Sequence, residues 1–132
     1  MLKLEIVTPE RKVLDTSVDT VTVPTASGEA GILPNHAPLV SALKPGVLTY
    51  SNGGSVERIA VAGGFVEVSG NKVSVLADEA ETADEVSIEA ARAEREAAEK
   101  GLASAINQPF EETEHLRDQL ETANARLQIA GK

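Results

Sequence analysis

The segment GEAGILPNHAPLVSALKPGVL, residues 28–48, holds the residue types of this chain that most resemble a chemical site. It is apolar enough for a core, yet it contains three prolines, three glycines and His36, one of two histidines in the chain. A catalytic histidine needs a nucleophile and an orienting carboxylate, and Ser27, Ser41 and Glu29 form no recognisable arrangement of that kind. A metal needs several converging ligands, and PNHAP offers one imidazole. We therefore predict neither catalysis nor metal binding at His36.

The prolines and glycines of the same segment predict an irregular sheet edge rather than a buried strand. Proline has no amide hydrogen to give to a sheet ladder, so Pro34 and Pro38 indicate an edge or a bulged crossover between strands. Gly28, Gly31 and Gly46 supply turn conformations. A rigid edge that carries an exposed polar residue favours contact with another protein.

Two further motifs look like ligand loops but lack the residues that such loops require. The pair Gly63 and Gly64 has neither the lysine of a P-loop nor the following helix of a dinucleotide-binding fold, so it predicts a β-bulge. The acidic run ADEAETADE, residues 77–85, lacks the spaced glycine and the terminal glutamate of an EF-hand. This run predicts a solvated linker.

Composition narrows the class of protein. Apolar residues make up 42% of the 132-residue chain and aromatic residues only 2%, so the core must be aliphatic. The chain has no cysteine, which excludes a disulfide framework and thiolate chemistry. The net charge of −9 opposes binding to nucleic acid or anionic lipid and favours protein partners, although it also serves plain solubility. No apolar run approaches the length of a membrane span.

The pattern of apolar residues changes near residues 80–85, from a β-type to a helical type. Upstream, LKLEIV, VDTVTVP, VERIAVAGGFVEV and KVSVLA alternate polar and apolar residues, which predicts strands with one buried face. Turn signals at residues 51–55 and 69–71 separate the runs and predict hairpins. Several short strands at this spacing indicate an antiparallel sandwich or barrel.

Downstream, two helical segments are predicted to form an antiparallel hairpin. The first runs from an N-cap at Ser87 to about Ile106, and Pro109 fits the first turn of the second. The two apolar stripes are Ile88, Ala91, Ala98, Leu102 and Ala105, and Leu116, Leu120, Ala123, Leu127 and Ala130. Because alanine buries one methyl group, about 0.8 kcal/mol each, the stripes predict a weakly held seam. The hairpin either docks and undocks or stays packed, and both alternatives remain open.

These segments together resemble the epsilon subunit of bacterial and chloroplast F-type ATP synthases. The resemblance lies in GEAGILPNHAPLVSALKPGVL, in VAGGFVEVSGNKVSVLADEAE and in the helical pair rich in Ala, Glu and Arg, and it covers essentially the whole chain. Its G-x-x-G-[IV]-L-P-x-H-x-P core is specific. It implies a flattened antiparallel β-sandwich of about ten short strands, residues 1–82, followed by a two-helix hairpin, residues 86–132.

The resemblance also implies a function. Members of that family place the sandwich on the gamma subunit and the membrane c-ring, and form the central rotor stalk with gamma. Their hairpin lies against the sandwich or extends along gamma into the alpha/beta catalytic head, where it blocks ATP hydrolysis. The loop that carries SGE meets the c-ring, so Glu29 is a ring-contact candidate, and His36 is a gamma-contact candidate. The full candidate contact surface is Glu29, Gly31, Leu33, Pro34, His36 and Pro38.

Some bacterial members of the family bind ATP on the folded hairpin through an I/L-D-x-x-R-A motif. The matching run here is IEAARA, in which Glu89 replaces the aspartate. An arginine early in a helix can clamp phosphate oxygens through charge-assisted hydrogen bonds, which gives Arg92 a role. The candidate ATP-binding residues are Ile88, Glu89, Arg92, Ala93 and Arg126.

Two departures from the family pattern leave open the question of whether this chain binds ATP. Thr122 and Glu99 stand where ATP-binding relatives carry basic residues. The alternative interpretation is that Glu89 and Arg92 are an exposed i, i+3 pair. Regulatory ATP is the one ligand that the resemblance implies, and neither a metal nor another cofactor is expected.

Taken together, the sequence predicts a non-catalytic rotor subunit of a proton-translocating ATP synthase. A free ATP-sensing module and an enzyme centred on His36 are the rival interpretations. The expected partners are gamma, the c-ring and the catalytic head, with no nucleic acid and with the membrane reached only through the complex. Because no transit peptide is visible, we expect the cytoplasmic face of a bacterial cell membrane, with the plastid thylakoid as the alternative.

Overall fold

A computed structural model describes residues 1–131 of the chain. Over these residues, ten strands are followed by a short 3₁₀ turn, Ala83–Glu85, and by two α-helices. The strands are β1 Leu2–Val7, β2 Lys12–Val18, β3 Thr20–Thr25, β4 Gly28–Ile32, β5 Leu39–Ala42, β6 Gly46–Asn52, β7 Ser55–Ala62, β8 Phe65–Ser69, β9 Lys72–Leu76 and β10 Glu79–Thr82. The helices are α1 Ile88–Ser104 and α2 Glu114–Ala130, with a 3₁₀ turn Phe110–Thr113 before α2.

The strands form two five-stranded sheets, which confirms the predicted sandwich. The first sheet has the order β2-β1-β9-β8-β5 and the second has the order β10-β7-β6-β3-β4. All neighbours pair antiparallel except β1 and β9, which run parallel. Alternation predicts which face of a strand is buried, but it does not predict the strand's neighbour, so this one parallel pair was not foreseen.

The space between the sheets is filled by aliphatic side chains from both inner faces, as the composition requires. Leu2, Leu4 and Ile6 of β1 are buried, which confirms the predicted alternation of buried and exposed residues along that strand. Tyr50 packs against the edge of this core. The buried members of the core are Leu2, Leu4, Ile6, Val18, Val21, Val23, Ile32, Leu43, Leu48, Ile59, Val61, Val66, Val68, Val73, Val75, Ala77 and Ala80.

The chain passes between the sheets five times, and two of these connections were singled out in the sequence. Residues 33–38 lead from β4, at the edge of the second sheet, to β5, at the edge of the first, which confirms the crossover predicted from Pro34 and Pro38. Gly63 and Gly64 lead from β7 to β8, so the prediction of a β-bulge there is wrong. Gly64 has φ 92°, and a Cβ on it would lie 1.9 Å from the carbonyl oxygen of Leu76. Only glycine fits a turn that passes so close to β9.

The acidic run before the hairpin is only partly a linker. Its residues 79–82 form β10, which pairs antiparallel with β7 and buries Ala80 in the core. The expectation of a solvated linker throughout is therefore wrong for this strand. The carboxylate of Glu81 forms an ion pair with Arg126 on α2, far away in sequence.

The helical hairpin forms as predicted, with differences at its ends. The Ser87 hydroxyl accepts a hydrogen bond from the Ala90 amide at 3.2 Å, so Ser87 is the N-cap of α1. Helix α1 ends at Ser104, and Ile106 is 81% exposed beyond it. None of the helices described in residues 1–131 is long and apolar enough to cross a membrane.

Helix α2 buries two faces, of which the sequence pattern predicts one. Ala123, on the predicted stripe, is fully buried, and Leu116 lies against Gly101 of α1. Ala125 and Ile129, outside that stripe, are also buried, and they form a small cluster against the second sheet. We call this cluster the hairpin seam, and its members are Val47, Ala60, Val86, Ala125 and Ile129.

Candidate functional site

The edge strand β4 and the crossover after it hold the six residues for which contact with gamma or the c-ring is predicted. Glu29 and Gly31 lie on β4 opposite Pro24 and Thr22 of β3, and both are exposed. Leu33 is 59% exposed at the start of the crossover. Residues 28–38, here called the crossover edge, thus lie along one border of the sandwich.

A tight turn gives the crossover edge its shape. The His36 amide donates to the Leu33 carbonyl at 3.2 Å, and Asn35 has φ 66° at the third position of the turn. Pro34 at the second position and asparagine at the third are the residues that a type II turn prefers. The Asn35 amide also donates to Oδ1 of Asn71 at 2.7 Å, which ties the crossover to the β8–β9 turn. The sequence reasoning missed Asn35, although the Pro-Asn pair is the signal for it.

His36 is half-buried and hydrogen-bonds within its own segment. Its Nδ1–H donates to the Ala37 carbonyl at 2.6 Å. The Ser41 hydroxyl donates to the Ala42 carbonyl at 3.2 Å rather than to the imidazole. The ring is therefore oriented by the backbone.

Beside the crossover edge, the outer face of the first sheet carries a row of apolar side chains. Ala42, Phe65, Leu76 and Val7 are register partners on β5, β8, β9 and β1. Phe65 is 57% exposed and Leu76 is 56% exposed. Val40, the other outward residue of β5, is also exposed and joins this apolar row to the crossover edge. The row continues into a shallow cleft of about 300 Å³ that Val7, Pro9 and Leu76 help to line.

This apolar row was not foreseen because the strands were interpreted as apolar inside and polar outside. Val66 and Val68 of β8 point into the core, so the preceding Phe65 must point outward. Leu76 follows the inward Val75 in the same way. An aromatic or leucine residue at an outward-facing position of a strand is the sequence signal from which this surface could have been predicted.

The other end of the same outer face is charged. The Lys12 ammonium lies 3.0 Å from the carboxylate of Glu5 and 3.2 Å from that of Asp15. Lys3 also forms an ion pair with Asp15, and Lys72 forms one with Glu5. Hydrogen bonds to Glu5 and Asp15 raise the pKa of Lys12, and the hydrogen bond from Lys12 lowers the pKa of Asp15. The outer face is thus divided into an apolar half and a half that carries ion pairs.

A second candidate region lies where the hairpin meets the second sheet. The Arg126 Nε–H donates to Oε1 of Glu81 at 2.6 Å, and Nη2 lies 3.5 Å from Oε2 of the same carboxylate. Nη1 of Arg126 lies 3.7 Å from Oε1 of Glu94. The Arg126 side chain is only 16% exposed. We call these three residues the Arg126 triad. Glu81 lies on β10, Glu94 on α1 and Arg126 on α2.

The residues proposed to bind ATP lie in two different environments. Ile88 is 42% exposed, and Glu89, Arg92 and Ala93 are exposed beside it on the first two turns of α1. Within residues 1–131, Arg92 forms no ion pair, neither with Glu89 nor with any other carboxylate. Arg126 faces carboxylates. ATP binding by this set stays a prediction, and it would require the Arg126 guanidinium to change partners.

The cleft next to the Arg126 triad is acidic. It has a volume of about 480 Å³ and is bordered by residues of the sandwich and of both helices. Its ionisable lining residues are Asp78, Glu79, Glu94, Asp118 and His115. Four carboxylates disfavour a polyphosphate anion at this place. Over the residues that the structure describes, no three histidine, aspartate or glutamate side chains are grouped so that they could hold a metal ion.

The segment before the hairpin is fastened to the sandwich. The Glu85 carboxylate accepts from the Thr82 amide at 2.9 Å and from Nη2 of Arg11 at 2.6 Å. The hydrogen bond from the Thr82 backbone, followed by the one from Arg11, lowers the pKa of Glu85. The chain is therefore held by the sandwich as far as Glu85, and α1 begins three residues later.

Comparison with protein families places the strands in a known group. Residues 1–83 match the family described as ATP synthase, Delta/Epsilon chain, beta-sandwich domain. An ATP synthase epsilon chain of Nitratidesulfovibrio vulgaris is 46% identical over 132 residues, covering 98% of this chain and 96% of its own length. An ATP synthase epsilon chain of Desulforamulus reducens is 50% identical over 102 residues, covering 77% of each chain.

A solved structure shows the same fold. A chain in the mitochondrial ATP synthase of Euglena gracilis, determined as the OSCP/F1/c-ring assembly, matches with a TM-score of 0.77 at 25% identity. The match covers 99% of this chain and 81% of that one. The sandwich and the hairpin thus both have counterparts in that chain.

Proposed function

The chain belongs to the ATP synthase epsilon-chain family, and from this premise we propose that it is a non-catalytic rotor subunit of the central stalk. The sandwich binds the gamma subunit and the c-ring, and the hairpin regulates ATP hydrolysis by the catalytic head. The complex is a proton-translocating F-type ATP synthase at the cytoplasmic face of a bacterial membrane. The related Euglena chain belongs to an assembly that contains F1 and a c-ring, which supports this proposal.

One observation carries the assignment of gamma to a surface. The apolar row is left uncovered by the chain's own hairpin, because α2 packs on β6 and β7 of the second sheet. Phe65 and Leu76 remain more than half exposed on the first sheet, and the exposed Val40 joins the row to the crossover edge. An apolar surface bordered by a polar rim is typical of a protein interface. We propose that gamma covers the apolar row together with Leu33, Pro34, His36 and Pro38.

The c-ring contact is proposed for the opposite end of β4. Glu29 follows the turn Ala26–Ser27 and stands exposed next to the positive-φ Gly28. A carboxylate on a rigid two-strand turn can accept hydrogen bonds from polar loops of a partner without a loss of backbone freedom. Gly31 has open space where a Cβ would lie, so a partner chain can approach the backbone there.

We further propose that residues 1–82 and 86–132 are separate functional units. The large core cluster contains residues from Leu2 to Ala80 and none from the described part of the hairpin. The hairpin seam is a second, much smaller cluster, and its helical members are Ala125 and Ile129. Because the sandwich core does not include the hairpin, the hairpin can leave without opening that core.

The binding of gamma tests the proposal. Phe65→Asp should weaken binding to purified gamma at least about tenfold, because it places a charge in the centre of an apolar interface. The control is Ile106→Asp, at a residue that is 81% exposed on the hairpin loop, which should bind like the wild type. The proposal fails if the two variants bind equally well. ATPase assays of the catalytic head with and without this chain then measure regulation.

A further inference from the structure

The Arg126 triad connects three elements through one side chain. Glu81 belongs to the sandwich, Glu94 to α1 and Arg126 to α2, and the guanidinium lies between the two carboxylates. We propose that this triad is a latch that holds the hairpin on the sandwich without any ligand. The inference rests on the proposed regulatory role of the hairpin, but it concerns the isolated chain alone.

The hairpin makes few apolar contacts with the sandwich, so the ion pairs of the latch contribute a large share of the docking free energy. Ala125 and Ile129 are the helical members of the hairpin seam, and they meet Ala60 and Val47 of the second sheet. Alanine contributes little area, so most of the apolar stabilisation comes from the single side chain of Ile129. An ion pair at such a seam therefore decides the equilibrium between the docked and the undocked hairpin.

The burial of the triad makes its ion pairs stronger than those at an open surface. Arg126 is 16% exposed, Glu81 30% and Glu94 36%, so water screens the group only in part. Oε1 of Glu94 is a buried atom without a hydrogen bond, and the Arg126 guanidinium at 3.7 Å is its charged neighbour. Removal of Arg126 would leave two carboxylates facing each other at the seam, which opposes docking.

The same geometry makes the latch independent of nucleotide. Nε and Nη2 of Arg126 donate to Glu81 and Nη1 lies 3.7 Å from the Glu94 carboxylate, so a phosphate that approached the guanidinium would have to displace a carboxylate. The adjacent cleft adds Asp78, Glu79 and Asp118 to the negative charge. In the docked hairpin, the latch and nucleotide binding through Arg126 exclude each other.

The place of the hinge follows from the hydrogen bonds of Glu85. Arg11 and Thr82 hold this residue to the sandwich, and Val86 after it has an extended backbone. If the hairpin swings as a unit about Val86 and Ser87, the Glu81–Arg126 contact must break. The Glu94–Arg126 contact lies within the hairpin and can persist. Glu81 is therefore the carboxylate that couples the hairpin to the sandwich.

A distance measurement on the isolated chain tests the latch. The chain has no cysteine, so Ser55→Cys and Gln128→Cys introduce two unique label sites, one at the start of β7 and one near the end of α2. Without nucleotide, the labelled wild type should show a short distance, and millimolar ATP should not change it. Arg126→Gln and Glu81→Gln should each increase the ratio of undocked to docked hairpin about tenfold, the effect of losing one charged hydrogen bond.

Matched variants keep the test decisive. Arg95→Gln removes the same charge from an exposed position of α1 and should leave the distance unchanged. Glu94→Gln should have a smaller effect than Glu81→Gln. Fluorescence of Tyr50, which packs against the sandwich core, checks that each variant is folded.

The latch is overturned if Arg126→Gln keeps the short distance, if Arg95→Gln opens the hairpin equally, or if the wild type is open until ATP is added. Binding to gamma is measured separately on the same variants. If neither the wild type nor any variant binds gamma, the proposed function is refuted, but the conclusion about the latch is unaffected.

Discussion

The two outer faces of the sandwich lie over the same aliphatic core but carry different kinds of surface. The first sheet presents Phe65, Leu76 and Val40, which are large apolar side chains with nothing of the described chain upon them. The second sheet presents Val47 and Ala60, which the hairpin covers. Large exposed apolar groups suit a lasting interface, whereas small groups joined by one ion-pair cluster suit a contact that opens. The difference supports the proposal that one face binds a permanent partner and the other a movable element.

The turn at Gly63–Gly64 links the two faces, and a change there should have the largest effect on the molecule. Gly64→Ala would place a Cβ 1.9 Å from the Leu76 carbonyl at φ 92°, so β8 and β9 would have to separate. We expect the free energy of unfolding to fall by about 3 kcal/mol, and gamma binding to fall with it because Phe65 and Leu76 flank the strained site.

Urea denaturation followed by Tyr50 fluorescence measures this loss. Gly53→Ala is the matched control, because Gly53 also has a positive φ of 59° but has open space around its missing Cβ. It should cost about 1 kcal/mol, from backbone strain alone. Equal losses in the two variants would show that the contact with Leu76 is unimportant.

The hairpin seam should respond to a core substitution by undocking rather than by unfolding of the sandwich. Ile129→Ala removes the largest buried side chain of the seam and should weaken docking by about 2 kcal/mol. The labels at positions 55 and 128 should report the opening, while the Tyr50 transition in urea stays in place. Val56→Ala, at a residue that is 66% exposed on β7, is the control. A common shift of both signals would mean that the sandwich and the hairpin unfold together.

Removal of the hairpin should barely change the other face. A chain of residues 1–82 keeps the apolar row and the crossover edge, so its affinity for gamma should stay within about twofold of that of the full chain, as expected for independent sites. The same truncation should abolish any inhibition of ATP hydrolysis. Titration of gamma by calorimetry measures the affinity, and a large loss for the truncated chain would place part of the gamma interface on the hairpin.

The buried and exposed faces of most strands could be predicted from the sequence, because period-two alternation and short turns specify which face of a strand is buried. The same patterns could not specify the parallel pairing of β1 with β9. The helical stripe of α2 was found at Ala123, but Ala125 and Ile129 were missed because a single stripe describes a helix with one buried face. This helix packs on both α1 and the second sheet.

The candidate sites show the same limit. The crossover edge could be located because proline and glycine have strong local effects on the backbone. The Arg126 triad could not, because Glu81 and Arg126 are 45 residues apart and are brought together only by the docking of α2 on β7. In an acidic run, one glutamate that has a distant partner looks the same as its solvated neighbours.

The smallest expected effect concerns the anchor between the two units, where Glu85 is held by Thr82 and Arg11. These hydrogen bonds favour the charged carboxylate, so the pKa of Glu85 is lower in the folded chain than its ordinary value of 4.5. The stabilisation is complete above the pKa of the unfolded chain, and it is lost as the pH falls below 4.5 through the lower folded value. Because the ion pair with Arg11 is largely exposed, screening by water keeps its contribution small.

Thermal melting between neutral pH and pH 3 should therefore show a slightly larger loss of melting temperature for the wild type than for Glu85→Gln. The glutamine can still accept from the Thr82 amide but has no charge to lose, so the two melting temperatures should converge at the acidic end. Arg11→Gln separates the two causes, because it leaves the hydrogen bond from Thr82 in place and should retain most of the pH dependence. If Glu85→Gln and the wild type lose the same amount across this range, the anchor is held by hydrogen bonding alone. The hinge at Val86 and Ser87 would then be insensitive to pH.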